Sequence, residues 1–145
     1  MYKLFVSVLF LFCSLLFFSS TSFAQSSDSV QVVHVQTWKL KAAFTPEDGK
    51  AFSEVLRKQS EATTKDSRLL SLRVLRHYWG NDSRDLVIIS EFKNIADLLS
   101  FNDDFNSMME KAYSKEQLDK DNDLWTKYVG QHSDEIYREV AGTSK

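Results

Sequence analysis

Few residues in this chain carry reactive chemistry, and they are widely spaced. There are three histidines, His34, His77 and His132. Imidazole is the side chain best suited to moving a proton near neutral pH, and it is a common metal ligand. No two of them stand at the i, i+4 spacing that sets two ligands on one helix face, so no metal site is expected, although three histidines far apart in sequence can still meet in space. A lone strand histidine is as readily a half-exposed residue bonded to backbone, and His132, beside Ser133 and Asp134, also fits the cap of a turn. Trp38, Trp79, Trp125, Tyr78 and Tyr128 offer broad apolar faces with polar tips. Such residues suit a planar organic ligand, an ordinary core or a dimer interface. Glu91 lies within the apolar run DLVIISEF. An acid there either has a raised pKa or reaches an arginine, and Arg73 and Arg76 are available. The alternating acids of Asp119-Lys120-Asp121-Asn122-Asp123 suggest a calcium loop, but Leu124 and Gly130 stand where that loop needs glycine and glutamate. The segment reads instead as a solvated helix face. A nucleophile elbow, a phosphate-binding glycine loop and a dinucleotide fingerprint are all lacking, and no cofactor is expected.

The elements that must position these residues follow from periodicity. Val30 to Leu40 is rich in β-branched and aromatic residues and predicts a strand with His34 and Trp38 on one face. Thr45, Pro46 and Asp48 mark a helix start, and Phe52, Val55, Leu56 and Gln59 form its apolar stripe to near Lys65. Leu69 to Trp79 predicts a second strand with Arg73, Leu75, His77 and Trp79 on one face; Leu70, Leu72 and Val74 lie on the other, which suits helix packing. After a turn over Gly80-Asn81-Asp82-Ser83, Asp85 to Phe92 predicts a third strand. Asn94 caps a second helix with Asp97 three residues on, burying Ile95, Leu98, Leu99, Phe105, Met108, Met109 and Ala112. A further helical piece runs from Ser114 to Val129 with Gly130 as its C-terminal cap, and Ile136 to Val140 forms a short fourth strand. This is the ferredoxin-like βαββαβ order of an α+β domain with an antiparallel sheet. Helices cover one sheet face, and a second copy of the chain is the expected cover for the other.

In this order the chain resembles the dimeric α+β barrel superfamily, which includes antibiotic-biosynthesis-type monooxygenases and stress-responsive barrel proteins. The resemblance rests on the Val30 to Leu40 run and on Trp79-Gly80-Asn81-Asp82 followed by LVIISEF. It rests also on the helix opening at Asn94 and on Tyr128 with His132-Ser133-Asp134-Glu135-Ile136 before the last strand. It implies a homodimer with a lumen between two sheets, where His34 and His77 would be the catalytic candidates and Trp38, Arg73, Trp79, Glu91 and His132 would contact a ligand. Three activities are compatible with it: small-molecule binding without assigned chemistry, cofactor-independent oxygenation of an aromatic substrate, or a purely structural interaction module. In the second, histidine would take a substrate proton and tryptophan would orient the ring. Haem handling fits less well, since a haem ligand would be expected on a helix and all three histidines read as strand or loop.

Residues 1–24 have the three parts of a secretory signal: Lys3, the apolar run Leu4 to Phe18, and small residues Ser22 and Ala24 before a predicted cut at Gln25. The run is shorter than the roughly 20 apolar residues of a membrane span, so no permanent anchor is expected after cleavage, and the product is periplasmic or extracellular. Residues 25–29 read as a flexible lead-in and 30–145 as one domain. The single cysteine, Cys13, leaves with the signal, which excludes disulfides and thiolate chemistry from the mature protein. The whole chain has 18 basic and 20 acidic residues, and loss of Lys3 brings the charge to about −3. With no basic stripe, nucleic acid is excluded as an expected partner.

Overall fold

The computed structural model describes residues 30–80 and 84–140. The predicted signal, the lead-in and most of the Gly80-to-Ser83 turn lie outside them. The elements in order are β1 (Val32–Leu40), α1 (Pro46–Thr63), β2 (Leu69–Arg76), β3 (Asp85–Phe92), α2 (Ile95–Ala112), α3 (Lys115–Tyr128) and β4 (Val129–Arg138). The strands form one antiparallel sheet in the order β2-β3-β1-β4, the ferredoxin-like α+β fold, and the long second helical region is two helices. Among the described residues no helix is long and apolar enough to cross a membrane.

Each helix starts where its sequence offers a cap. The side-chain oxygens of Thr45, Asn94 and Ser114 accept from the backbone N–H groups of Asp48, Asp97 and Gln117, satisfying donors that the first turn leaves unpaired. The Asp48 carboxylate does not turn back to complete a capping box. It accepts from Lys127 Nζ at 2.8 Å and from the Tyr128 hydroxyl, tying α1 to the end of α3. Tyr113, between α2 and α3, donates to the Lys58 carbonyl of α1 at 2.6 Å. These bonds from Lys127 and Tyr128 hold the Asp48 carboxyl below the ordinary carboxylate range, against a smaller upward push from burial. A carboxyl depressed in the folded state contributes stability above its unfolded pKa of about 3.9 and loses it as pH falls through the folded value. The expected result for Asp48→Asn is a lower urea midpoint at pH 6, with a smaller further drop between pH 6 and pH 3 than in the parent.

The packed interior is divided in two. Leu40, Phe52, Leu56, Leu86 and Val129 form one cluster, joined by Trp38, Phe44, Val74, Leu124 and Trp125. Val32, Phe92, Leu98 and Phe101 form the other, joined by Leu69, Ile95, Phe105 and Met108.

Several sequence expectations change, among them those for Ala112 and Leu70, which are exposed rather than buried. Leu99 is 55% exposed, and Phe101, absent from the expected stripe, is buried: helix geometry from Leu98 carries the inward face to Phe101 and Phe105. The second strand stops at Arg76, leaving Tyr78 and Trp79 exposed beyond it. β4 begins at Val129 rather than Ile136, pairing with β1 from Leu40↔Val129 to Val32↔Arg138. Gly130 is therefore a strand residue and not the α3 cap, which is Val129. A Cβ at Gly130 would lie 3.1 Å from the Lys39 carbonyl oxygen, so glycine there permits the close approach of β4 to β1.

Candidate functional site

Alternation along β1 turns Val32, His34, Gln36, Trp38 and Leu40 toward the helices, and the register places Leu86, Ile88, Ser90 and Phe92 of β3 on the same side. Here the facing surfaces carry small residues. Ser90 of the sheet and Thr63 of α1 are buried, and Ser60 lies one turn before Thr63. Side chains of that size cannot fill the distance between a sheet and a helix layer. A cavity of about 620 Å3 remains, floored by His34, Gln36, Trp38, Leu72, Val74, Ile88 and Ser90 and walled by residues of all three helices. It draws lining from both core clusters: Leu56, Trp38, Val74 and Trp125 from one, Phe101 and Phe105 from the other. This volume lies in the usual range for a small-molecule site.

A hydrogen-bonded group anchors one side of the floor. Asp134 on β4 faces the same way as its cross-strand partner Gln36. Its Oδ1 accepts from Gln36 Nε2 at 2.9 Å and lies 3.0 Å from His34 Nε2; its Oδ2 lies 3.1 Å from His132 Nε2. Burial pushes the Asp134 carboxyl up, but the bonds from Gln36 and His34 and the two neighbouring imidazoles outweigh it and hold the group below the ordinary range. An ionised carboxylate only accepts, so His34 gives it Nε2–H and, when neutral, keeps Nδ1 as its lone-pair nitrogen. His34 is 6% exposed and lines the cavity. A ring oriented by a carboxylate beside a pocket is the arrangement of a general base.

The His132 ring stacks on Trp38 at 4.1 Å and 14°. Trp38 also meets the edge of Trp125 at 5.1 Å, and Trp125 stacks on Phe52 at 5.4 Å. Trp38 Nε1 is buried without a hydrogen-bond partner, a donor that a ligand acceptor or an ordered water would satisfy.

The sequence candidates therefore separate. His34 and Trp38 line the cavity, and His132 joins them from β4 through Asp134 and the stack on Trp38. Arg73 and Glu91 lie on the opposite sheet face, paired at 2.9 Å. His77 follows the end of β2, its Nε2 buried and unpartnered close to Gly80, where a Cβ would lie 2.9 Å from the ring. Trp79 is 92% exposed and takes no part in the cavity. His34 and His77 are not brought together: His34 faces the helices, whereas the alternation leading to His77 runs through Arg73 and Leu75 on the opposite sheet face, and β2 ends at Arg76. The pocket itself lies between the sheet and this chain's own helices rather than against the open face. Asp121 also departs from the solvated-face reading: Asp119 pairs with Lys115, whereas Asp121 lines the cavity. Sequence reasoning missed Asp134 and Gln36; the alternation His132, Asp134, Ile136 reveals Asp134 once β4 is begun at Val129. Among the described residues no group of three His, Cys, Asp or Glu side chains is placed to hold a metal ion.

No family model and no curated protein matches the chain. Solved structures do. A candidate antibiotic biosynthesis monooxygenase from Nitrosomonas europaea superposes with a TM-score of 0.53 at 14% identity, over 80% of this chain and 96% of that one. SnoaB, a cofactor-independent oxygenase from Streptomyces nogalater, gives 0.52 at 10% identity, over 80% and 99%. A Dabb-family protein with a ferredoxin-like fold from Mesorhizobium loti gives 0.51 at 16% identity, over 77% and 99%. The fold is thus the one shared by antibiotic-biosynthesis-monooxygenase-like and Dabb-like proteins.

Proposed function

We propose that this chain is an exported, homodimeric small-molecule-binding barrel protein whose ligand lies between the sheet and the three helices. The cavity floored by His34, Gln36 and Trp38 carries this reading: a sheet and helix layer that served only as scaffold would close on itself, as protein interiors do. A second copy would cover the open sheet face, where Val33, Val35, Val87 and Ile89 are half-buried and Leu75 is 47% exposed. The lateral ion pairs Lys39–Asp85 and Arg73–Glu91 belong to the same sheet.

A cofactor-independent, monooxygenase-like activity on an aromatic substrate is the second reading. The His34–Asp134 pair favours it, supplying an oriented base beside a pocket with aromatic walls. The third reading, an interaction module without a ligand, draws support from the open sheet face alone.

Native mass spectrometry on the protein recovered from a secreting host tests the proposal. The expected species is a dimer of chains that begin at Gln25, with a retained small molecule. A monomer at high concentration with no adduct, or an uncleaved chain, would contradict it.

A further inference from the structure

The charges around the cavity are one-sided. Two carboxylates line it, Glu110 from α2 and Asp121 from α3, while no lysine or arginine does. The rest of its polar lining at these walls is neutral: Gln59, Ser60, Thr63, Asn102, Asn106 and Asn122. Several basic residues on and beside the helices are engaged elsewhere, and Lys50, Lys58 and Lys111, which have no ion-pair partner among the described residues, do not line the cavity. Arg57 is held by Glu54 and Glu61, Lys115 by Asp119, Lys120 by Glu116, Lys127 by Asp48, and Arg68 by Asp66 and Asp104. Glu110 and Asp121 have no ion-pair partner among the described residues; Asp121 accepts one bond, from Gln117 Nε2 at 2.6 Å. The same space is bounded by the rings of Trp38, Trp125, Phe101 and Phe105, whose π faces attract cations.

We infer that the cavity selects a positively charged organic ligand, a protonated or quaternary amine on an aromatic or apolar body, and rejects carboxylates and phosphates. This rests on the proposed ligand cavity and names the chemistry of its occupant. A cation entering would find two carboxylates without an ion-pair partner at the helical walls and aromatic rings within. An anion would meet like charge with no guanidinium or ammonium to receive it; the repulsion is least screened at half-buried Asp121, while Glu110 stands exposed at the rim.

Three molecules with one indole body and different charge separate the outcomes: tryptamine, tryptophol and indole acetate. Their binding to the mature protein is followed by NMR through the indole N–H signals of Trp38 and Trp125. Tryptamine is expected to bind about tenfold more tightly than indole acetate, a difference of about 1.4 kcal/mol, with tryptophol between them. In the double variant Glu110→Gln, Asp121→Asn the three affinities are expected to converge, while that of tryptophol stays unchanged and shows that the cavity is intact. Equal or tighter binding of indole acetate, or a preference for tryptamine that survives in the double variant, would overturn the inference and leave the cavity reading standing. If none of the three moves either indole signal, the cavity reading fails and the inference falls with it.

Discussion

Phe92→Ala is expected to lower the free energy of unfolding by about 3–5 kcal/mol, the usual cost of removing a fully buried phenylalanine. Phe92 has no exposed surface. It pairs across the sheet with Val32 on one side and Leu69 on the other, and its ring meets Phe101 of α2 at 5.1 Å. It is therefore the contact through which the second core cluster joins β1, β2, β3 and α2. The loss would be a large share of the roughly 5–15 kcal/mol that holds a domain folded. Urea unfolding followed by far-ultraviolet circular dichroism measures it. Leu99→Ala, four residues after the same helix begins but 55% exposed, is expected to change stability by no more than about 0.5 kcal/mol. A loss below about 1 kcal/mol for Phe92→Ala would show that this cluster is not tightly packed.

Asp134→Asn is expected to disturb the two imidazoles more than the fold. The carboxylate offers one oxygen toward each of His34 and His132, and both rings can present Nε2–H to it. An amide has one accepting oxygen and one donating nitrogen. One of the histidines must then give up its Nε2 proton or break contact, and His34, being buried, loses more by standing unpaired. The expected stability loss is roughly 1 kcal/mol, low in the range for an unsatisfied buried group because the Asp134 side chain is 44% exposed. The more telling readout is 15N NMR of the imidazole nitrogens. The parent should show His34 as the Nε2–H tautomer, and the variant a changed protonation pattern in one ring. Identical imidazole spectra in parent and variant would show that Asp134 does not fix the ring.

Much of the framework is visible in the residues alone. The caps Thr45 and Asn94 announce their helices, the β-branched runs announce β1 and β3, and the order of elements specifies the fold. The candidate site is only half visible. His34 and Trp38 stand out by type and share a face by alternation, but the location of their pocket depends on Ser60, Thr63 and Ser90, small residues that carry no chemical signal in sequence. β4 was hidden because Gly130-Gln131-His132-Ser133-Asp134-Glu135 is polar throughout and exposed along its length. Cross-strand bonding to β1, not a buried apolar stripe, makes it a strand. Asp134 was lost with it. The error over His77 and Trp79 has the opposite origin: aromatic residues extend a β-like pattern past Arg76, although the pairing ends with the bond from the His77 N–H to the Asp85 carbonyl and leaves Tyr78 and Trp79 exposed.

The division of the interior has a thermodynamic corollary. Two tightly packed ends separated by a gap are coupled mainly through the sheet, so each can loosen with limited consequence for the other. A molecule seated in the gap would touch both ends at once and act as the missing middle of the interior. Its arrival would make unfolding more concerted and slow amide exchange at opposite ends of the domain together, even where those amides lie far from the ligand.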